Sequence, residues 1–215
     1  MTAEASTADQ IQVKPVPVAE TMHKICDIAP SVSMCLIGHV DTQTITFFDD
    51  NICDYANSGW PQENDAKDYK IAERYGYDAD AAVILESEND DFVRFARDFR
   101  YREQLLKKFA TILPCLDDWG TDIQAFEAWY AQCHKDEMDV CTTQVNLILS
   151  NEAQHRLLSI DTDGKHHICT PRRGELILLD AGCTHALLPN QDKGLAHMRT
   201  HPMRAAFVIV PDVYN

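Results

Sequence analysis

The chain has 215 residues, with 34 acidic side chains against 19 basic ones and a formal net charge of −15. That length suits one ordinary domain, and a hydrophobic content of 45% supplies a sizeable core with no need of disulfides or a structural metal. The negative charge argues against a general nucleic-acid binder and against an anionic membrane surface as partner.

The N-terminus, MTAEASTADQ, lacks the basic and apolar regions of a secretory signal. No apolar run approaches the roughly 18 residues that span a bilayer. Eight cysteines contain no C-x-x-C pair and read as reduced, small hydrophobes, so a cytoplasmic location is expected.

In chain order, residues 1–20 read as a flexible arm ending in the step Pro15-Val16-Pro17. The remaining residues, 21–215, are expected to form a single domain. VSMCLIGHV (32–40) and QTITFF (43–48) are rich in β-branched and aromatic residues and predict two strands. Residues 49–91 are irregular and acidic. The spacing of Phe92, Phe95, Phe99, Leu105, Leu106, Phe109 and Leu113 predicts one long helix ended by Pro114. A second helix is expected over 121–132. After residue 134 the texture changes to short strands parted by turns: VCTTQVNLILS, HRLLSID, HHICT, ELILL and AAFVIV. Such a series predicts a barrel or sandwich. The expected division is helical support over about 21–133 and a β core over about 134–215.

The residues that can carry chemistry stand at the edges of that β core. His134-Lys135-Asp136 precedes its first strand, and His185 follows the strand ending at Leu179. Two imidazoles and one carboxylate can occupy one face of a ferrous ion and leave three positions open. Arg204 opens the last apolar strand, and a guanidinium suits two-point recognition of a carboxylate.

These stretches together, CHKDEMDVCTTQVNLILS, HRLLSIDTDGKHHICTPRRGELILLDAGCTHALLP and PMRAAFVIV, resemble the Fe(II)/2-oxoglutarate-dependent oxygenase superfamily. The resemblance implies an α+β protein with a double-stranded β-helix (jelly-roll) core and N-terminal supporting helices. It also implies Fe(II) bound by His134, Asp136 and His185, and 2-oxoglutarate held at its far carboxylate by Arg204. Arg199 competes for that role because the interval from His185 to Arg204 is long, and Asn146 is placed to touch the co-substrate.

The expected activity is a non-haem dioxygenase that takes dioxygen and hydroxylates a small polar metabolite, such as an amino acid or derivative. A protein side chain is the second choice of substrate. Two other readings compete. Gly174-Glu175 through His185 and Asn190 resembles the second motif of the cupins, metalloenzymes that would not need 2-oxoglutarate. A metal-free binding barrel is the other. His166 and His167 are neighbours on one strand and face opposite sides, so they do not form a metal pair.

Overall fold

The computed structural model describes residues 10–12, 33–57, 93–113, 122–136 and 143–210. Most of the expected arm and of the acidic segment lies outside the described residues, as does Pro114; within the arm, Gln10–Gln12 form a strand.

Two sheets face each other. The larger contains β2 (Met34–His39), β3 (Ile52–Asn57), β4 (Val93–Phe99), β5 (Ile123–Ala128), β7 (Thr143–Ser150), β10 (Glu175–Asp180) and β12 (Met203–Val210), in the order β2-β10-β7-β12-β5-β4-β3. The smaller runs β1-β9-β8-β11-β6, from β1 (Gln10–Gln12), β6 (Ala131–His134), β8 (Arg156–Ile160), β9 (His166–Cys169) and β11 (Thr184–Leu188). From β5 to β12 the chain passes back and forth between the sheets, and every pairing among the described strands except β1 with β9 is antiparallel. This is a double-stranded β-helix in an α+β protein.

Alternation along β7 separates two cores. Val145, Leu147 and Leu149 face outward against α1 (Thr42–Asn51) and α2 (Arg102–Ile112), where Phe48, Leu105 and Phe109 are buried. Ile148 faces inward, joining Met34, Ile177, Leu179 and Met203 and the small-sheet residues Leu157 and Leu187. The central strands β7, β10 and β12 are therefore buried on both faces, which is why they read as near-continuous apolar runs.

Three expected elements differ. QTITFF is helical, as the first part of α1. Asp41 caps it, its carboxylate accepting from the Thr44 backbone N–H at 2.7 Å, and Ile45, Phe48 and Ile52 fall on one buried face. The single long helix is instead β4, a turn with Tyr101 at φ 58°, and then α2. The spacing of Phe92, Phe95 and Phe99 imitates a helix, but β4 pairs with both β3 and β5 and places Arg94 opposite Glu127, with which it forms an ion pair. The helix expected over 121–132 is β5 and the start of β6; residue 121 is outside the described residues. In β5, Ile123 and Ala125 face the helices while Phe126 and Ala128 face inward. The two sheets therefore draw several strands from residues before 134.

Gly174 ties the barrel together before β10. At φ +89° it occupies a conformation that costs L side chains, and a Cβ there would lie 2.7 Å from His39 Nε2. Its N–H donates to Ile148 and its carbonyl accepts from Val40.

Candidate metal centre

β6 and β11 are neighbours in the small sheet, and their register sets His134 directly opposite His185. Their ring centroids are 4.3 Å apart. Just after β6 the chain turns, and the Asp136 N–H donates to the Ala181 carbonyl at 2.9 Å, pinning that residue to the turn between β10 and β11. One ligand atom from each of His134, Asp136 and His185 lies within 4.8 Å of the others. Asp136 Oδ1 is 3.4 Å from His134 Nε2 and 3.9 Å from His185 Nε2. Among the described residues this is the one group of three such donors close enough to share an ion.

The surroundings prepare these atoms. His185 Nδ1 donates to the Cys183 carbonyl at 3.0 Å, which leaves Nε2 as a lone pair facing Asp136. Burial, aided by neighbouring His134, pushes His185 down to about 4, so the ring is neutral at physiological pH. Burial pushes Asp136 upward, but the hydrogen bond with His134 and the proximity of His185 outweigh it and hold the carboxyl below its ordinary value. The second carboxylate oxygen accepts from the Gln144 amide on β7. A neutral imidazole with an oriented lone pair and an ionised carboxylate fit a divalent ion such as Fe(II).

Gln144, which the motifs did not single out, touches the candidate site. Its signal is visible in TQVNLILS: Gln144 and Asn146 are two polar residues, two apart, inside an apolar strand. Both point inward and both are buried. Asn146 lies between Ile177 on β10 and Phe207 on β12, and its Nδ2 has no hydrogen-bond partner among the described residues. An unpaired buried amide costs about 1–3 kcal/mol, a cost that a bound ligand removes.

The two arginines expected to hold 2-oxoglutarate are elsewhere. On β12, Ala205 faces the barrel interior while Ala206 and Val208 face the helices, and Arg204 points to the helical side. Its guanidinium lies 3.0 Å from Asp49 of α1, as an ion pair whose alignment falls short of a hydrogen bond, and 5.5 Å from the centre of the Tyr55 ring. Burial raises the Asp49 carboxyl, while Arg204 and Arg173 pull it back. Arg204 pairs across the sheet with Ser150, whereas Gln144 pairs with Ile209, five residues along β12 and about 17 Å away at the usual strand rise. Arg204 lines a cavity of about 830 Å³ with Asp49, Ser150, Arg173 and His201, at the barrel end remote from His185. Arg199 lies on α3 (Leu195–Thr200), 5.5 Å above the Trp129 ring on the outside of the small sheet. Among the described residues, the inner faces of β7, β8, β10, β11 and β12 carry no lysine or arginine. On these strands the described residues offer ligands for a metal ion, and Arg204 and Arg199 lie off the inner face.

The same arrangement of sheets occurs in known structures. A prolyl hydroxylase from Trichoplax adhaerens, solved with a peptide fragment of the hypoxia inducible factor oxygen degradation domain, aligns with a TM-score of 0.57 and 10% identity, covering 91% of this chain and 90% of that one. A prolyl-4-hydroxylase from Pseudomonas putida aligns at 0.51 and 12%, covering 89% and 99%. The fold is that of the Fe(II)/2-oxoglutarate oxygenases. A 2OG-Fe(II) oxygenase-family oxidoreductase from Burkholderia pseudomallei aligns at 0.48 with 8% identity over 93% and 92%. No protein-family profile matches the chain, and no curated protein sequence does. Among the described residues no helix is long and apolar enough to cross a membrane.

Proposed function

We propose that the protein is a non-haem iron(II) oxygenase, with His134, Asp136 and His185 as the ligands. The observation that carries this reading is the meeting of those three side chains on an oxygenase-type barrel, with the His185 lone pair already aimed by Cys183. A ferrous ion held by His134, Asp136 and His185 would supply the activation of dioxygen. The chain does the rest. Cys183 and Gln144 orient two of the ligands, the apolar inner face below them excludes water, and Asp136 offsets the ion's charge.

The reaction we assign is hydroxylation, and the substrate class is a small polar metabolite such as an amino acid or derivative. A peptidyl side chain is the second reading, favoured by the neighbour solved with a peptide fragment. A cytoplasmic location agrees with five free cysteines among the described residues.

Anaerobic titration with Mn(II), a redox-quiet stand-in for Fe(II), tests the centre. One ion per chain is expected for the wild type, with binding lost in Asp136→Ala and His185→Ala. A protein that binds no divalent ion, or whose Asp136→Ala variant binds as the wild type does, sinks the proposal. Oxygen uptake by the Fe(II) form with candidate metabolites or peptides, followed by mass spectrometry for a gain of one oxygen atom, then separates the two substrate readings.

A further inference from the structure

Four neighbouring strands of the small sheet set one row of side chains at the level of the metal ligands. His134 pairs with His185, His185 with Ser159, and Ser159 with His167 on β9. Residues paired across an antiparallel ladder share a face, and here it is the inner one. Leu157 and Leu187, two residues along from Ser159 and His185, are buried inside the barrel. Cys169, two along from His167, meets Met34 of the same cluster at 3.8 Å. The row is open to solvent, with side-chain exposures of 37% at His134, 14% at Asp136 and 16% at His167.

His167 is held from one side. Its Nε2 donates to Asp161 Oδ2 at 2.9 Å, and the other oxygen of that carboxylate accepts from the backbone N–H groups of Asp163 and Lys165. The hydrogen bond with His167 comes first among the contacts that keep the Asp161 carboxyl below its ordinary value. Nδ1, the remaining ring nitrogen, makes no hydrogen bond with any described residue. Among the described residues, the inner faces of β7 to β12 carry no lysine or arginine, and His167 is their one basic side chain besides the ligand His185.

We propose that His167, anchored by Asp161, holds the far carboxylate of a dicarboxylic 2-oxo acid co-substrate, in place of an arginine. The inference rests on the iron-oxygenase reading and assigns a residue to its co-substrate site. Arg204 and Arg199 are committed elsewhere, so a carboxylate inside the barrel at this level has His167 as its cationic partner. With the Asp161 carboxylate at one ring nitrogen and the ligand's at the other, the ring binds as imidazolium and donates from both. The spacing suits such a ligand. His167 and His185 stand two strand spacings apart, about 10 Å between backbones. A five-carbon 2-oxo acid reaches about 5 Å from its keto end to its far carboxylate, and a metal–oxygen bond of about 2 Å and a hydrogen bond of about 3 Å make up the rest. Ser159, between the two imidazoles, is the small member of the row, and its hydroxyl is turned to the Ser33 carbonyl.

The full chain is loaded with Fe(II) without oxygen at about pH 6.5, where an ordinary imidazole is half protonated. It is titrated separately with 2-oxoglutarate and with 2-oxopentanoate, which carries a methyl group in place of the second carboxylate. Calorimetry and the charge-transfer absorption of the chelate report binding. A hydrogen bond between charged groups is worth about 10- to 150-fold in affinity, so the wild type is expected to prefer 2-oxoglutarate by at least about tenfold. His167→Leu should weaken 2-oxoglutarate by about 10- to 150-fold and leave 2-oxopentanoate within about threefold; His167→Ala serves if the leucine variant does not fold. Arg204→Gln is expected to change neither acid. A wild-type preference below about tenfold overturns the proposal, as does a preference that survives in the His167 variant or disappears in Arg204→Gln. Failure of both acids to bind the iron-loaded protein overturns it too. Failure of the metal to bind is a different outcome, read in the Mn(II) titration before any acid is added, and it removes the underlying function instead.

Discussion

Replacing Gln144 with leucine tests whether the barrel tunes the metal centre from behind the ligands. Gln144 is 8% exposed, and its amide donates to the Asp136 oxygen that is turned away from His134 and His185. Leucine keeps the side chain's approximate volume, and the backbone pairing of β7 with Leu179 and Ile209 is untouched. What is lost is a hydrogen bond to an ionised carboxylate, worth about 1.5–3 kcal/mol. Asp136 keeps a side-chain exposure of 14%, so water recovers part of that in the metal-free state. Once an ion is bound, the free oxygen is no longer fixed and the carboxylate can rotate. Partners of this kind typically contribute 10- to 100-fold to metal affinity. The expected outcome is therefore a Mn(II) dissociation constant raised by about 10- to 100-fold, with the thermal midpoint of the metal-free protein within a few degrees of wild type. Calorimetry at one pH measures the first quantity and circular dichroism the second. A Gln144→Leu protein that binds Mn(II) within twofold of wild type would falsify the orienting role. A loss of affinity matched by a large fall in the midpoint would show a packing effect instead.

Three further outcomes concern the frame. Gly174→Ala forces a Cβ against the His39 ring at φ +89°, so destabilisation of about 1–3 kcal/mol is expected in urea titration; a neutral result would mean that the turn adapts freely. Arg204→Gln leaves Asp49 with Arg173 alone, and about 1–2 kcal/mol of stability should be lost without effect on metal binding. His155 is fully buried with Nε2 against the His201 carbonyl, and burial lowers its pKa below the usual 6.5. The unfolded chain therefore takes a proton near pH 6.5 that the folded chain refuses, and stability falls as pH drops below that value, by at most about 1.4 kcal/mol per unit from this group. Unfolding midpoints of the metal-free protein from pH 7 to 5 measure the slope. His155→Gln should flatten it, and an unchanged slope would assign the effect elsewhere.

The candidate ligands were legible in the sequence because metal ligation needs particular residue types at strand ends, and the structure brings the side chains of His134, Asp136 and His185 together. The β series after residue 143 was legible for a similar reason. Its apolar runs are bounded by turn residues such as Asp163-Gly164 and Gly174, and strands buried on both faces leave little room for another reading. Local pattern failed where a short apolar segment satisfied two periods at once. In Phe92, Phe95 and Phe99 the helical spacing lost to ladder hydrogen bonds with β3 and β5, which no window of sequence contains. QTITFF went the other way, because the cap at Asp41 and the docking of Phe48 on Phe109 reward a helix.

Composition and residue order thus indicated an acidic protein with a barrel or sandwich of short strands and three candidate ligands, and the resemblance of its motifs implied an oxygenase fold. Only the tertiary structure decided which way the basic residues face. One residue of strand register separates the inside of a barrel from its outside, and a sequence motif records the presence of Arg204 but not its side of the sheet. Alternation along β12 sets Arg204 on the side of Asp49 with Ala206 and Val208, and the register of β7 sets Gln144 and Asn146 on the inner face.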